Sequence, residues 1–155
     1  MPNAINFIGL YQHSLDSKAR LMIPQVYRDM VSRAEPSLKF FLNRGFDECL
    51  AMYTESTWNE MVQVVKGRRE GELSEEESRK FARWFFSSAV EVVPDKAGRI
   101  LIPEHLRLLA GLKKHVVLIG VSDRVEIWDA ERHADVNAAK KGDYERSAKE
   151  AFRRI

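Results

Sequence analysis

Two stretches decide the reading: "DSKARLMIP" at residues 16–24 and "DKAGRILIP" at residues 95–103. Asp16 matches Asp95, Arg20 matches Arg99, Ile23 matches Ile102 and Pro24 matches Pro103. A search over all windows can produce that much identity by chance. The order of elements around each stretch is the stronger signal.

Before each stretch, "IGLYQHSLD" and "AVEVVPD" alternate apolar and polar residues, as half-buried strands do. After it, Pro24 and Pro103 suit a first helical turn, where a missing N–H costs little. Val26, Tyr27 and Met30 then share one helix face, as do Leu106, Leu109 and Ala110, and Gly111 is a natural helix stop. The strand pair "LKFFLNRG" and "CLAMYT" follows in the first half, and "HVVLIGV" and "RVEIWD" in the second. Polar turns at Asp47 and at Ser122–Asp123 separate the members of each pair. Thr57 with Glu60 resembles a capping box for the next helix, and Asp129 is placed to cap its counterpart. Both halves therefore read strand, strand, helix, strand, strand, helix. Two copies make a pseudo-twofold object and not a solenoid, which needs at least three repeats.

Between the halves, "LSEEESRKFARWFFSSAV" predicts a helix capped by Ser74 and Glu77, with Phe81, Trp84 and Phe85 on one stripe expected in the core. The preceding "KGRREGELSEEE" reads as a solvated loop. From Ala134 the chain thins to alanine and charge, with Tyr144 and Phe152 its only large apolar groups, so it is a helix docked on a neighbour or is partly disordered. The boundaries are residues 7–66 for the first half, 67–88 for the connecting helix, 89–133 for the second half and 134–155 for the charged helix or tail.

Composition limits the function. The 155 residues are 45% apolar, enough for a sizeable core, and Lys plus Arg exceed Asp plus Glu by 25 to 23, a net +2. Such a chain does not coat nucleic acid indiscriminately, so any anion binding comes from a local cluster. A single cysteine, Cys49, excludes an intrachain disulfide and reads as a buried strand thiol of a cytosolic protein. The N-terminal segment lacks the pattern of a secretion signal, and no apolar run approaches the ~20 residues that span a bilayer.

Within each repeated stretch, Asp16 and Asp95 are placed to accept backbone N–H groups and fix a turn. Gly98 can take a positive φ that lets the loop be tight. Arg20 and Arg99 end the turns, with Lys18 and Lys96 beside them. Arginine's fork of donors fits phosphate oxygens or the O6 and N7 edge of guanine, whereas lysine acts as a point charge. Two readings stand together on residue types alone: weak surface bridges between each Asp and its Arg, or an anion-binding loop. Repetition favours the second, because paired loops present a doubled basic surface.

"GLYQHSLDSKARLMIP", "EVVPDKAGRILIPEHLRLLAGL" and "VVLIGVSDRVEIWD" together resemble the MraZ family, related in fold to AbrB-type regulators, from about Ile8 to His133. The resemblance implies an α+β fold: two tandem AbrB-like swapped-hairpin halves forming a pseudo-twofold double-psi β-barrel with peripheral helices. It also implies a cytoplasmic, nucleoid-associated transcriptional regulator that closes into a ring, commonly an octamer. Such proteins bind double-stranded DNA at short direct repeats upstream of the division and cell-wall gene cluster to which they belong. Carried onto this chain, the DNA-facing residues are Asp16, Lys18, Arg20, Asp95, Lys96 and Arg99. The arginines would make the closest contacts, the lysines would hold phosphates and the aspartates would shape the loops. The family usually has glycine where this chain has Ala19. If that loop needs positive φ, Ala19 stores roughly 1 kcal/mol of strain.

An enzyme fits less well. His13, His105, His115 and His133 lack the close pairing or cysteine company of a zinc site, and no Walker loop, GxSxG elbow or HExxH occurs. Ser14 and Ser17 lie near His13 and Asp16, but strand alternation scatters such neighbours over two faces. No catalytic residue, metal or cofactor is expected. The alternative function is a protein-interaction scaffold or antitoxin-like module that uses the tail after Ala134 to grip a partner.

Overall fold

The structure, a computed structural model, describes residues 5–67, 73–138 and 142–155. In chain order it contains β1 (Leu10–Ser14), β2 (Arg20–Met22), α1 (Gln25–Ala34), β3 (Phe40–Arg44), β4 (Leu50–Tyr53) and α2 (Glu55–Lys66). The helix α3 (Glu75–Ser88) follows, then β5 (Val90–Val92), β6 (Arg99–Leu101), α4 (Glu104–Ala110), β7 (His115–Gly120), β8 (Val125–Asp129), α5 (Ala130–Val136) and α6 (Asp143–Ala151). The expected order of elements thus recurs on either side of α3.

The strands interleave. Six of them form one antiparallel sheet in the order β1-β7-β8-β4-β3-β5. Exchanging each strand for its counterpart in the other repeat reverses this order onto itself, so a pseudo-twofold axis passes between β4 and β8, near Ala51 paired with Glu126. The outer strand of each half lies on the other half: β1 pairs with β7, Leu10 opposite Ile119, and β5 pairs with β3, Phe40 opposite Val92. The same axis runs through a separate ribbon of β2 and β6, where Leu21 lies opposite Ile100. No ladder joins β1 to β5 among the described residues, and β2 and β6 pair only with each other. These ladders trace a mixed α+β architecture, and among the described residues no ladder closes the sheet into a barrel.

The core fills the space between ribbon and sheet. Leu21, Ile23, Ile100 and Ile102 from the repeated stretches pack with Leu42 and Leu118 of the sheet, all essentially inaccessible. In α1 and α4 the buried positions are Tyr27 with Val31 and Leu106 with Ala110, an i, i+4 pair in each case. Val26 and Leu109, expected on those faces, point outward instead. Pro24 and Pro103 stand at the N-caps, and Gly111 ends α4 in the left-handed region at φ 60°. Gly120 serves close approach: a Cβ there would fall 2.4 Å from the Ile8 backbone nitrogen, where the N-terminal segment bridges Phe7 to Ser122.

Several local expectations change. Helix α2 starts three residues earlier than the Thr57–Glu60 pattern indicates, because the Thr54 hydroxyl accepts the Thr57 N–H at 3.2 Å. Thr54 is the counterpart of Asp129, which accepts from Arg132 N at the start of α5. The Ser74 cap forms as expected, accepting from Glu77 N at 3.1 Å. Cys49 is buried but ends the turn before β4 instead of lying in the strand; its thiol donates to the Phe46 carbonyl, and burial pushes its pKa up to about 12.

The aromatic stripe of α3 is not core. Phe85 stacks on Trp58, and Asn43 fastens the helix end by donating to the Phe85 carbonyl at 3.0 Å and accepting from Ser88 Oγ. Trp84 is 57% exposed and Phe81 43%. Helical periodicity marks an apolar face without saying that the same chain covers it. The charged segment before α3 falls partly at residues 68–72, outside the described residues. At the other end, Tyr144 on α6 and Phe152 and Ile155 after it are exposed. No helix among the described residues is long and apolar enough to cross a membrane.

Two stability predictions follow from the ribbon. Leu21→Ala removes a fully buried side chain at the pseudo-twofold axis and is expected to cost about 2–5 kcal/mol in urea denaturation. In the loop between β1 and β2, Ala19 sits at φ 59°. Ala19→Gly relieves left-handed strain, partly offset by unfolded-chain entropy, and is expected to stabilise the fold by a net of up to about 1 kcal/mol, read as a higher melting temperature.

Candidate nucleic-acid interface

Each repeated stretch builds the same small loop. Asp16 N–H donates to the Arg20 carbonyl at 3.0 Å, and Asp95 N–H to the Arg99 carbonyl at 2.8 Å. Ala19 and Gly98 donate back to the carbonyls of Asp16 and Asp95 at 3.0 and 2.9 Å. The aspartate side chains complete the turns. Asp16 Oδ1 accepts from Lys18 N and Arg20 N, and Asp95 Oδ1 from Ala97 N and Arg99 N, all at 2.9 Å. The expected role of the aspartates in fixing the loops is therefore met at the level of hydrogen bonds.

The loops are locked to each other across the axis. Ile23 N–H donates to the Gly98 carbonyl at 2.9 Å, and Ile102 N–H to the Ala19 carbonyl at 3.0 Å. These bonds require both loops to take the same tight form. Ala19 accordingly adopts φ 59° beside φ 89° at Gly98, which settles the question raised by its missing glycine: the loop keeps its shape and the backbone bears the strain.

Arg20 and Arg99 emerge side by side. Arg20 Nε donates to Asp16 Oδ2 at 2.7 Å, and Arg99 Nε to Asp95 Oδ2 at 3.1 Å. Arg99 Nη1 also lies 3.7 Å from Asp16 Oδ2, so both guanidinium groups converge on one carboxylate oxygen. Their side chains are about one-third exposed, at 31% and 33%. Donated backbone N–H groups, from Arg20 to Asp16 and from Arg99 to Asp95, hold both carboxyls below the usual aspartate range against the opposing effect of burial. Lys18 and Lys96 are exposed beside them. All six residues named from the sequence thus lie on the two loops that meet at the ribbon.

Two further residues belong to this neighbourhood. Arg28 in α1 and Arg107 in α4 each donate Nε to the isoleucine carbonyl of their own repeat, Ile23 and Ile102, both at 3.0 Å. The Arg28 guanidinium also lies against the other half's loop, since a Cβ on Gly98 would fall 2.4 Å from its Cζ. Both stand at the same offset after the repeated arginine, a sequence signal that a motif ending at proline misses.

The histidines are dispersed. His115 Nδ1 lies 3.2 Å from the Ser14 hydroxyl, His105 Nε2 lies 3.0 Å from the Ser88 carbonyl, and His133 packs edge-on to Trp128. His13 lies on β1, opposite Val116.

Comparison with known proteins gives the duplication a name. A family model described as "MraZ protein, putative antitoxin-like" matches the chain twice, over residues 7–83 and 85–155. The chain is similar to the transcriptional regulator MraZ of Acetivibrio thermocellus, with 43% identity over 123 residues that cover 79% of this chain and 80% of that protein. With two family matches spanning both repeats, and one relative aligned along most of its length, the chain belongs to the MraZ family.

Proposed function

We propose that this protein is a sequence-specific DNA-binding transcriptional regulator that works as a ring-shaped oligomer. It binds short direct repeats upstream of its own operon, in the division and cell-wall gene cluster, and is cytoplasmic and nucleoid-associated. Arg20 and Arg99 read base edges, Lys18 and Lys96 hold phosphates, and Asp16 and Asp95 keep the loops in shape. One observation carries the reading: two copies of the loop meet at a pseudo-twofold axis with their arginines side by side and partly open to solvent.

The oligomer follows from affinity. Two small loops neutralise few phosphates, so tight binding needs many linked copies whose later contacts become intramolecular. Rotationally related, like-oriented subunits suit direct repeats. The solvent-exposed Phe46, Phe81 and Trp84 supply apolar surface for such association. Within each subunit we take the interleaved halves, residues 7–66 and 89–133, as swapped hairpins of a double-psi barrel, with residues 67–88 as connector and 134–155 as tail.

A second reading is an antitoxin-like interaction module. The family description and the exposed Tyr144, Phe152 and Ile155 of the tail favour it. Truncation at His133 separates the two, because it removes a tail-bound partner and leaves DNA binding in place.

The main test is a gel-shift assay with the upstream region of the protein's own operon. Arg20→Ala with Arg99→Ala is expected to abolish specific binding, each good base contact contributing about 1–3 kcal/mol, while the oligomer keeps its size in light scattering. Wild-type affinity is expected to fall linearly on a log–log plot as salt rises. Salt-independent binding, or full binding by the double variant, overturns the proposal. Acid supplies another check. Carboxyls held below their ordinary range stabilise the loops above the unfolded value of about 4 and release that stabilisation only as pH drops through the lower, folded values. DNA binding is therefore expected to persist down to about pH 4 and to fail below it.

A further inference from the structure

The residues of the repeated motif nearly cancel in charge. Asp16 and Asp95 offset Arg20 and Arg99 one for one, through Nε contacts of 2.7 and 3.1 Å. A face built from these four groups has structure but little net field, and a phosphate backbone responds to net field. Lys18 and Lys96 supply part of what is missing. Arg28 and Arg107 supply the rest.

These two arginines differ from the motif pair in one respect. Their Nε atoms are committed to the carbonyls of Ile23 and Ile102, and no ion pair found among the described residues includes either side chain. Both are half-buried. A neutral donor would satisfy a carbonyl equally well, so a half-buried cation without a carboxylate is an expensive way to do it unless an anion joins the site. Pinning at Nε also fixes the plane of the guanidinium in advance, which lowers the entropy lost when its terminal nitrogens meet an oxyanion. Arg28 of the first repeat also reaches across the axis and lies on Gly98 of the second.

We infer that Arg28 and Arg107 are phosphate-holding residues of the DNA face, supplying the net positive charge that the self-neutralised Asp–Arg pairs do not. This rests on the DNA-binding reading above and divides its labour: the motif arginines discriminate bases, and the helix arginines grip the backbone regardless of sequence. In the first repeat the loop position equivalent to Gly98 is Ala19, which carries a Cβ, so the two helix arginines face unequal surroundings.

The test compares the assembled wild-type protein with Arg28→Gln/Arg107→Gln and Arg28→Lys/Arg107→Lys. The probes are a duplex carrying the upstream region of its own operon and a scrambled duplex of equal composition, each titrated over a series of salt concentrations. Glutamine keeps an N–H donor for the carbonyl and removes the charge; lysine keeps the charge. The glutamine pair is expected to bind both duplexes more weakly by a similar factor, with a salt dependence flatter by about two per bound protomer and an unchanged preference for the operon sequence. The lysine pair is expected to retain the wild-type slope. A glutamine pair with the wild-type slope, or one that loses sequence preference at constant slope, overturns the inference. If the double variant fails to assemble in light scattering, the single variants decide, each expected to flatten the slope by about one. Wild-type protein that binds neither duplex defeats the DNA-binding reading itself, a result distinct from failure of this inference.

Discussion

The crossing of β2 over β6 is the constraint on which the rest of the molecule depends. Leu21 and Ile100 meet there at the axis, flanked by Ile23 and Ile102, and none of the four is accessible to solvent. Burying such side chains is a favourable term of about 1.5–3 kcal/mol each. The ribbon also has its own polar locks, the two bonds from isoleucine N–H groups to the carbonyls of Gly98 and Ala19. Those locks act on the tips of the loops, so core packing and loop geometry are one problem. A change that loosens the isoleucines also moves the arginines.

That coupling explains why a strained alanine is tolerated. Left alone, the loop around Ala19 would relax to negative φ. Its carbonyl is held by Ile102 and its N–H by Asp16, so relaxation would break bonds on both sides. The aspartates act similarly on the side chains. Each accepts two backbone N–H groups through one oxygen and a guanidinium through the other, which aims the arginine while leaving its end partly open. Recognition surfaces gain from such prior ordering because less freedom is lost on binding.

Much of the architecture was legible in the residue pattern, because strand alternation, turn residues and caps are local signals. Every strand anticipated in the two halves formed, and Gly111, Ser74 and Asp129 ended or began helices as their chemistry requires. What was not legible depends on distant parts of the chain. Periodicity placed Val26 and Leu109 on apolar faces, but the register of α1 and α4 against the sheet turned them outward. The aromatic stripe of α3 was visible, its exposure was not, since a sequence carries no record of which faces lack a cover. Thr54 was overlooked because a second threonine three residues on offered an equally good capping pattern. For the candidate site, the duplication pointed to the two loops, and the resemblance to the MraZ family supplied the six residues on them. Arg28 and Arg107 share an offset after the repeated arginine, but only folding brings the Arg28 side chain against the loop of the other repeat.

The interleaved strand order has a consequence for how the protein is made. Leu10 is paired with Ile119, and Phe40 with Val92. As the ribosome extends the chain at roughly 5–20 residues per second, β1 emerges seconds before its partner β7, and β3 pairs with β4 but waits seconds for β5 on its other edge. During that interval the nascent first repeat presents unpaired backbone edges and apolar side chains whose proper neighbours do not yet exist, a state prone to pair with strangers. Synthesis of the C-terminal repeat therefore completes the N-terminal one, and the pace of translation as far as β7 sets how long the edge of β1 waits for its partner.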